Sequence, residues 1–455
     1  MSNNFRSNAE IIVKANVTGE IFECKEGLSF WGGVDPSTGC IVDMHHINHG
    51  NSLVGKLVLM PTSRGSCSGS GVLLQLMQNG LAPKALIFHE EEEILTLGAI
   101  VSDQLFNKKV AILRVSKDIY SDLATEDTAE IFENTLVCGS KTIKLWGLDT
   151  ETLNLNSTDR RMLNGDQGIA NKIAMEAICK MAAVQSANEL IDVTKGHIDG
   201  CILAHDANLI FAEKMYKLGA NVSIPTTINA ISVNLNNWEN QGVEPDFGNK
   251  ASRLANAYEK MGAHPTYTCA PYLLENKPQR DEVIGWSESN AVIYANSILG
   301  AKTQKHPDYL DLFIAMTGRA PKAGVYLNEN RIPKIEISVH LPTDFDDSIW
   351  PMLGWLIGDL SPNKIPLVTG LEMTSPSDDD LKALCAAFGT TSAAPMLHIN
   401  GHTPGKVYSI PSKLKNFNIT KKHLAKLWNK FNYADLRVDL VAVSYTHLTL
   451  PTNDQ

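Results

Sequence analysis

No apolar run in this chain approaches the roughly 20 residues that cross a bilayer. Its start, Met1 to Glu10, lacks the charged-then-apolar layout of a secretion signal. Basic side chains are in deficit: 40 Lys and Arg stand against 50 Asp and Glu, a net charge of −10. A sequence-independent nucleic-acid binder needs a basic face to displace phosphate counterions, so that class is excluded. A small anionic substrate in a local positive pocket is not. The eight cysteines (Cys24, Cys40, Cys67, Cys138, Cys179, Cys201, Cys269 and Cys385) show no CxxC and no regular spacing. That rules out a zinc ribbon, a ferredoxin-type motif and a disulfide framework, and makes most of them small buried hydrophobes. These absences describe a soluble cytoplasmic protein with neither membrane nor nucleic acid as partner.

What the chain does have is length and an ordinary globular composition. At 455 residues, 44% apolar and 20% charged, it exceeds one ordinary core, and two domains are expected. Over the first ~115 residues strand-like and helix-like segments alternate. Ile11 to Cys24, Leu57 to Met60, Ala85 to Phe88 and Lys109 to Val115 read as strands. Val72 to Gly80 and Ile94 to Leu105 read as helices, the first closed by Gly80. Glu90 to Glu93 reads as a solvated acidic helix start. Ser121 to Thr152 is polar and weakly patterned and is taken as the connection between domains. Longer strand–loop–helix units follow from Gly165, predicting a mainly parallel sheet with functional loops at the carboxyl ends of its strands. Ser377 with Asp380 caps an amphipathic helix that carries Cys385 as packing, and Trp350 to Leu360 reads as a buried helix.

The most informative segment is Arg64-Gly65-Ser66-Cys67-Ser68-Gly69-Ser70-Gly71, between a strand-like and a helix-like run. Such a junction directs several backbone N–H groups and the positive end of a helix at one spot. A serine hydroxyl titrates far above neutrality, so its use as a base needs strong anion stabilisation. Arg64 and the N–H groups of Ser68 to Gly71 are candidates to supply it. Other polar clusters fall at Gly196 to Gly200, Pro225 to Asn229, Thr268 to Tyr272 and Trp286 to Val292.

The string Leu28 to Pro36 with Gly39, taken with the Ser66 loop, resembles the swivel domain of the aconitase X family. Met162 to Gly165 with Gly168, the four clusters above, Asn296-Ser297, Gly300-Ala301 and Thr317 to Arg319 resemble that family's large domain. The resemblance runs from about Val17 to Val443 in the order of the fused, single-chain members. It implies an α/β chain: a small swivelling domain at 1–140 carrying the Ser66 loop, fused to a larger aconitase-like catalytic domain at 141–443. No separate small subunit is then needed.

The family dehydrates small hydroxy acids, and its fused members resemble cis-3-hydroxy-L-proline dehydratases, which form Δ1-pyrroline-2-carboxylate. Split archaeal members act on phosphomevalonate, the rival substrate. By this resemblance Ser66 accepts the proton, and the loop's own chemistry makes Arg64 its candidate catalytic helper. His197, Ile198, Asp199, Thr227, Asn229, Ser289 and Asn290 contact substrate. Iron, or an iron–sulfur cluster, helps the hydroxyl leave as a Lewis acid. Cys269 matches the first of three cysteine ligands. The other two are expected just after a strand like Val438 to Val443 and further on, and neither is found. Residues 444–455 resemble translated adapter read-through, a non-native tail. Were that tail authentic, a non-catalytic binding protein would be the alternative.

Overall fold

The computed structural model describes residues 8–404 and 413–431; the strand expected at 438–443 and the tail lie outside them. Two compact units result, one of residues 1–267 and 306–323, the other of 268–305 and 324–455.

The first unit begins with a nine-stranded sheet. Its strands in chain order are β1 (Ala9–Val13), β2 (Val17–Glu23), β3 (Leu57–Leu59), β4 (Ala85–Phe88) and β5 (Ala111–Val115). β6 (Thr128–Phe132), β7 (Thr135–Cys138), β8 (Lys141–Lys144) and β9 (Trp146–Gly147) complete it. The spatial order is β8-β7-β6-β2-β3-β4-β5-β1-β9, parallel from β2 through β5. The central strands are apolar on both faces, with Leu57, Val58 and Leu59 all buried, as strands covered on both sides must be. Helices α1 (Gly69–Asn79) and α2 (Ile94–Phe106) make the crossovers. Gly80 ends α1 in the left-handed conformation, φ 72°, where a Cβ would be strained.

Three expectations change here. The run from Ile11 to Cys24 divides into two strands. Residues 128–147, expected as a connection, are strands of the sheet; only alternate side chains such as Ala129, Ile131, Leu136 and Cys138 are buried. The acidic run before α2 is not wholly solvated. Glu92 is buried, accepts from the N–H groups of Leu95 and Thr96 at 2.7 and 2.9 Å, and accepts the Ser63 hydroxyl at 2.6 Å. The cap of α2 therefore also braces the chain just ahead of Ser66.

The same unit continues through α3 (Ile169–Val184), β10 (Gly196–Ile198), α4 (Asp206–Lys217), β11 (Thr226–Ile228) and α5 (Pro245–Lys260). β10 and β11 pair in parallel, setting His197 opposite Thr227. Arg319 ties this part together, donating to Asp159 at 2.9 and 3.2 Å, to the Leu190 carbonyl at 3.2 Å and to Asp192.

The second unit carries the short helix α6 (Ser289–Tyr294), whereas α7 (Leu310–Thr317) returns to the first. Its sheet is β12 (Ile335–Val339), β13 (Pro366–Thr369), β14 (His398–Ile399) and β15 (Lys415–Ile419), all parallel in the order β14-β13-β12-β15. Helices α8 (Ile349–Leu360), α9 (Asp378–Thr391) and α10 (Lys421–Phe431) accompany it. Ser377 and Asp380 form the expected capping box, and Cys385 is buried in the core with Leu384 and Phe388.

Candidate functional site

The Ser66 loop owes its path to Gly65. Its φ is 89°, and a Cβ there would lie 2.4 Å from Ser29 Oγ. Only glycine lets the loop pass so close to the Leu28–Phe30 string, which also takes the Arg64 N–H on its Leu28 carbonyl at 3.3 Å. Ser66 is 7% exposed, and its hydroxyl oxygen accepts from the Ser68 N–H at 3.3 Å. Ser68 is the N-cap of α1, gives no side-chain cap, and no acidic residue occupies the first turn. The helix's positive end thus has no side-chain cap and no acid of its own first turn beside the Ser66 oxygen.

Arg64 lies at the start of the same loop. It is 45% exposed on its side chain and bonded to Asp43 at 3.3 Å, with Glu26 at 3.8 Å. Two carboxylates thus engage the guanidinium.

The other residues of the first unit converge at the carboxyl ends of β10 and β11. His197 Nδ1 meets the Thr227 hydroxyl at 2.7 Å, and burial pushes this imidazole down to about 3, so it is neutral. Asp199 accepts the Asn229 side-chain amide on one oxygen and the Cys67 thiol on the other, the latter at 3.0 Å. Its own N–H donates to Asp311 at 2.8 Å. Ile198 is a core residue; its carbonyl takes the Asn229 N–H at 3.0 Å. The five expected substrate contacts lie together on these two paired strands and their ends, and Cys67, the residue beside Ser66, is bonded to them through Asp199.

Sequence reading passed over Cys67, Asp308 and Asp311. The Asp308 N–H donates to the Cys67 carbonyl at 3.3 Å, and the Ser70 hydroxyl reaches the carbonyls of Cys67 and Asp308 at 2.9 and 3.3 Å. Burial first, then the charges of Asp199 and Asp311, hold the Asp308 carboxyl well above the usual range. Gly71 permits this closeness, since a Cβ there would come within 3.1 Å of Asn208, Tyr309 and His205 atoms. The sequence signal was an acid pair three residues apart at a helix start, Asp308 and Asp311, which looks like ordinary capping.

In the second unit, Glu288 caps α6 by accepting the Asn290 N–H at 3.0 Å. Asn290 donates its amide to the Tyr272 hydroxyl at 3.0 Å, and Tyr272 stacks on Tyr294 with centroids 4.1 Å apart. Ser289 is buried and Cys269 half-buried. Among the described residues, one ligand atom each from Cys67, Asp199 and Asp308 come within 4.8 Å of one another; Cys269 joins no such group. Two cavities of about 610 and 510 Å³ lie against β1, lined by residues such as Arg114, Trp146 and Leu163, and neither touches this network.

Known proteins share this organisation. Residues 6–138 match the aconitase X swivel domain, 152–329 the aconitase X first domain and 333–429 the aconitase X second domain. The chain is 40% identical to a cis-3-hydroxy-L-proline dehydratase of Hypocrea jecorina, over 96% of this chain and 77% of that protein. The Pseudomonas aeruginosa protein of the same name is equally similar, at 40% over 96% of this chain and 78% of its own. The crystal structure of Thermococcus kodakaraensis aconitase X in its holo-form superposes with a TM-score of 0.57 at 29% identity, covering 61% of this chain and 70% of that one. With all three domains present in one polypeptide, this chain belongs to the aconitase X family.

Proposed function

We propose that the chain is a hydro-lyase that converts cis-3-hydroxy-L-proline to Δ1-pyrroline-2-carboxylate. The two dehydratases similar over nearly its whole length act on that substrate by name. The swivel region is part of the same chain, so no separate small subunit is called for.

The observation that carries the reading is the junction of the Ser66 loop with the 196–200 and 226–229 loops through the Cys67–Asp199 bond. Ser66 Oγ, as alkoxide, removes the proton from C2 of the substrate. The C–H electron pair becomes the C2–C3 double bond, and the C3–O bond breaks; the departing hydroxide takes the proton from Ser66 and leaves as water, which restores the alkoxide. The resulting enamine shifts a proton from nitrogen to C3 and becomes the cyclic imine. The Ser68 N–H and the α1 dipole stabilise the oxyanion, an arrangement fixed before the substrate arrives. Neutral His197, held by Thr227, and the Asp199–Asn229 pair place polar groups around the reacting carbons without adding positive charge that a substrate amine would oppose.

The family resemblance implies iron held by Cys269 and two more cysteines. The described residues do not fit that group, because Cys269 has no pair of ligand atoms with it.

The test follows substrate loss and imine formation by proton NMR on the purified chain. The substrates are cis-3-hydroxy-L-proline, trans-4-hydroxy-L-proline and phosphomevalonate. Turnover of the first alone is expected. Turnover of phosphomevalonate alone overturns the proline assignment.

A further inference from the structure

Three carboxylates and a thiol are buried together where the 306–311 segment meets the Ser66 loop. Asp199, Asp308, Asp311 and Cys67 are each at most 2% exposed. Asp311 is satisfied, taking the N–H groups of Asp199 and Leu312 at 2.8 and 2.7 Å. Asp199 has the Asn229 amide and the Cys67 thiol. Asp308 is different. The Ser68 hydroxyl and the Cys67 thiol both act on its carboxyl, but its Oδ1 is buried with no hydrogen-bond partner among the described residues. A carboxyl oxygen left so is costly to bury, and more so when charged. The charges acting most strongly on it, Asp199 and Asp311, are both negative.

A positive ion would answer both deficits. Ligand atoms about 2.0–2.3 Å from a common ion sit roughly 3.3–4.5 Å apart. The three atoms of Cys67, Asp199 and Asp308 all lie within 4.8 Å of one another, so small shifts, including opening of the 3.0 Å thiol–carboxyl bond, bring them to that spacing. One thiolate with two carboxylates is too soft a set for Mg²⁺ or Ca²⁺ and suits a borderline transition-metal ion. We infer that Cys67, Asp199 and Asp308 form a binding site for one divalent transition-metal ion of the Zn²⁺ type, separate from Cys269.

Binding exchanges the Cys67 S–H proton for the metal and releases it to solvent. The ion would stand one residue from Ser66 and supply the positive field that Arg64, held by Asp43 and Glu26, does not. That consequence rests on the role proposed for Ser66; the site itself does not.

The experiment uses the full chain, stripped with a chelator and titrated with Zn²⁺ and Co²⁺. Calorimetry and elemental analysis give stoichiometry, and near-ultraviolet absorption reports thiolate-to-Co²⁺ charge transfer. Wild type and Cys269→Ser are expected to bind one equivalent with the thiolate band. Cys67→Ser is expected to lose the band, and Asp308→Asn to bind at least tenfold more weakly, both with circular dichroism unchanged. A wild type or Cys269→Ser chain that takes up no metal, or takes it up without the band, overturns the site whether or not the other variants fold. So does an Asp308→Asn chain that binds as tightly as wild type. None of these readouts needs turnover, so failure of the proline assay leaves the metal result standing on its own.

Discussion

Removing the Ser66 hydroxyl separates chemistry from architecture. In the fold that oxygen accepts one N–H at 3.3 Å, a long bond, and lies 3.9 Å from Cys67 Sγ. The position of the loop is set by other contacts: Gly65 against Ser29, the Arg64 N–H on Leu28, and the bonds from Ser70 and Asp308 to the Cys67 carbonyl. One weak hydrogen bond is worth about 1 kcal/mol or less, so Ser66→Ala should shift thermal stability by only about 1–2 °C in a chain of this size. A positioned base contributes about 10²–10⁴-fold. Ser66→Ala should therefore lower kcat by that factor with KM changed less than about threefold. The measurements are melting by circular dichroism and steady-state turnover of cis-3-hydroxy-L-proline. Solvent deuterium incorporation at C2 of residual substrate gives a third readout, which the variant should lose. A variant that keeps more than a tenth of wild-type kcat at unchanged stability refutes the role of Ser66. Loss of activity and melting temperature together would instead make it a structural serine.

Other perturbations address neighbouring links. Gly65→Ala forces a Cβ into Ser29 at a left-handed φ; about 1–2 kcal/mol of strain and at least tenfold loss of kcat are expected, read by chemical denaturation and turnover. Arg64→Ala should cost less than tenfold in kcat, since its guanidinium serves Asp43 and Glu26; a hundredfold loss would return Arg64 to the oxyanion. Arg319→Ala strands Asp159, whose carboxyl is fully buried, and should destabilise by about 3–5 kcal/mol in urea unfolding; Asp192, 87% exposed, adds little. Burial pushes the Glu93 carboxyl up to about 7 from its ordinary 4.5. The stability it contributes is full below pH 4.5 and is lost as pH rises through 7, so Glu93→Gln should gain about 1–3 kcal/mol over wild type at pH 8 and nothing at pH 4.5.

Local chemistry made much of this fold readable. Gly80 as a helix stop, the Ser377–Asp380 capping box and the α1 loop are decided by residues within a few positions of one another, and the chain shows them directly. Strands β6 to β9 were not readable. Each is five residues or shorter, and exposed Phe132 and Trp146 break the apolar-in, polar-out pattern, so the alternation is too brief to stand out from a linker. Glu92 was misread because its cap is local but another of its partners, Ser63, lies on a distant loop. Cys67 looked like filler for a similar reason. Its partner, Asp199, is 132 positions away, and nothing near Cys67 marks it as a donor.

That separation bears on how the site comes to exist. The chain leaves the first unit at Tyr267, builds part of the second, and returns at His306 to deliver Asp308 and Asp311. Ser70 and Asp308 are 238 positions apart, Asp199 and Asp311 112. Closing loops of that length is paid for before the contacts reward it, so these bonds form late, after the sheet around β3 and β4 has its local partners. A buried acid with an unmet oxygen adds nothing to the closure by itself. An ion or proton taken up there would, and the last segment to arrive is the one that completes the set around Cys67. Native-state hydrogen exchange should accordingly show the amides of Asp199 and Asp308 opening at lower free energy than those of β3 and β4 in the stripped protein. Added Zn²⁺ should close that gap at Asp199 and Asp308 while leaving the sheet unchanged; equal protection of both regions without metal would contradict late assembly.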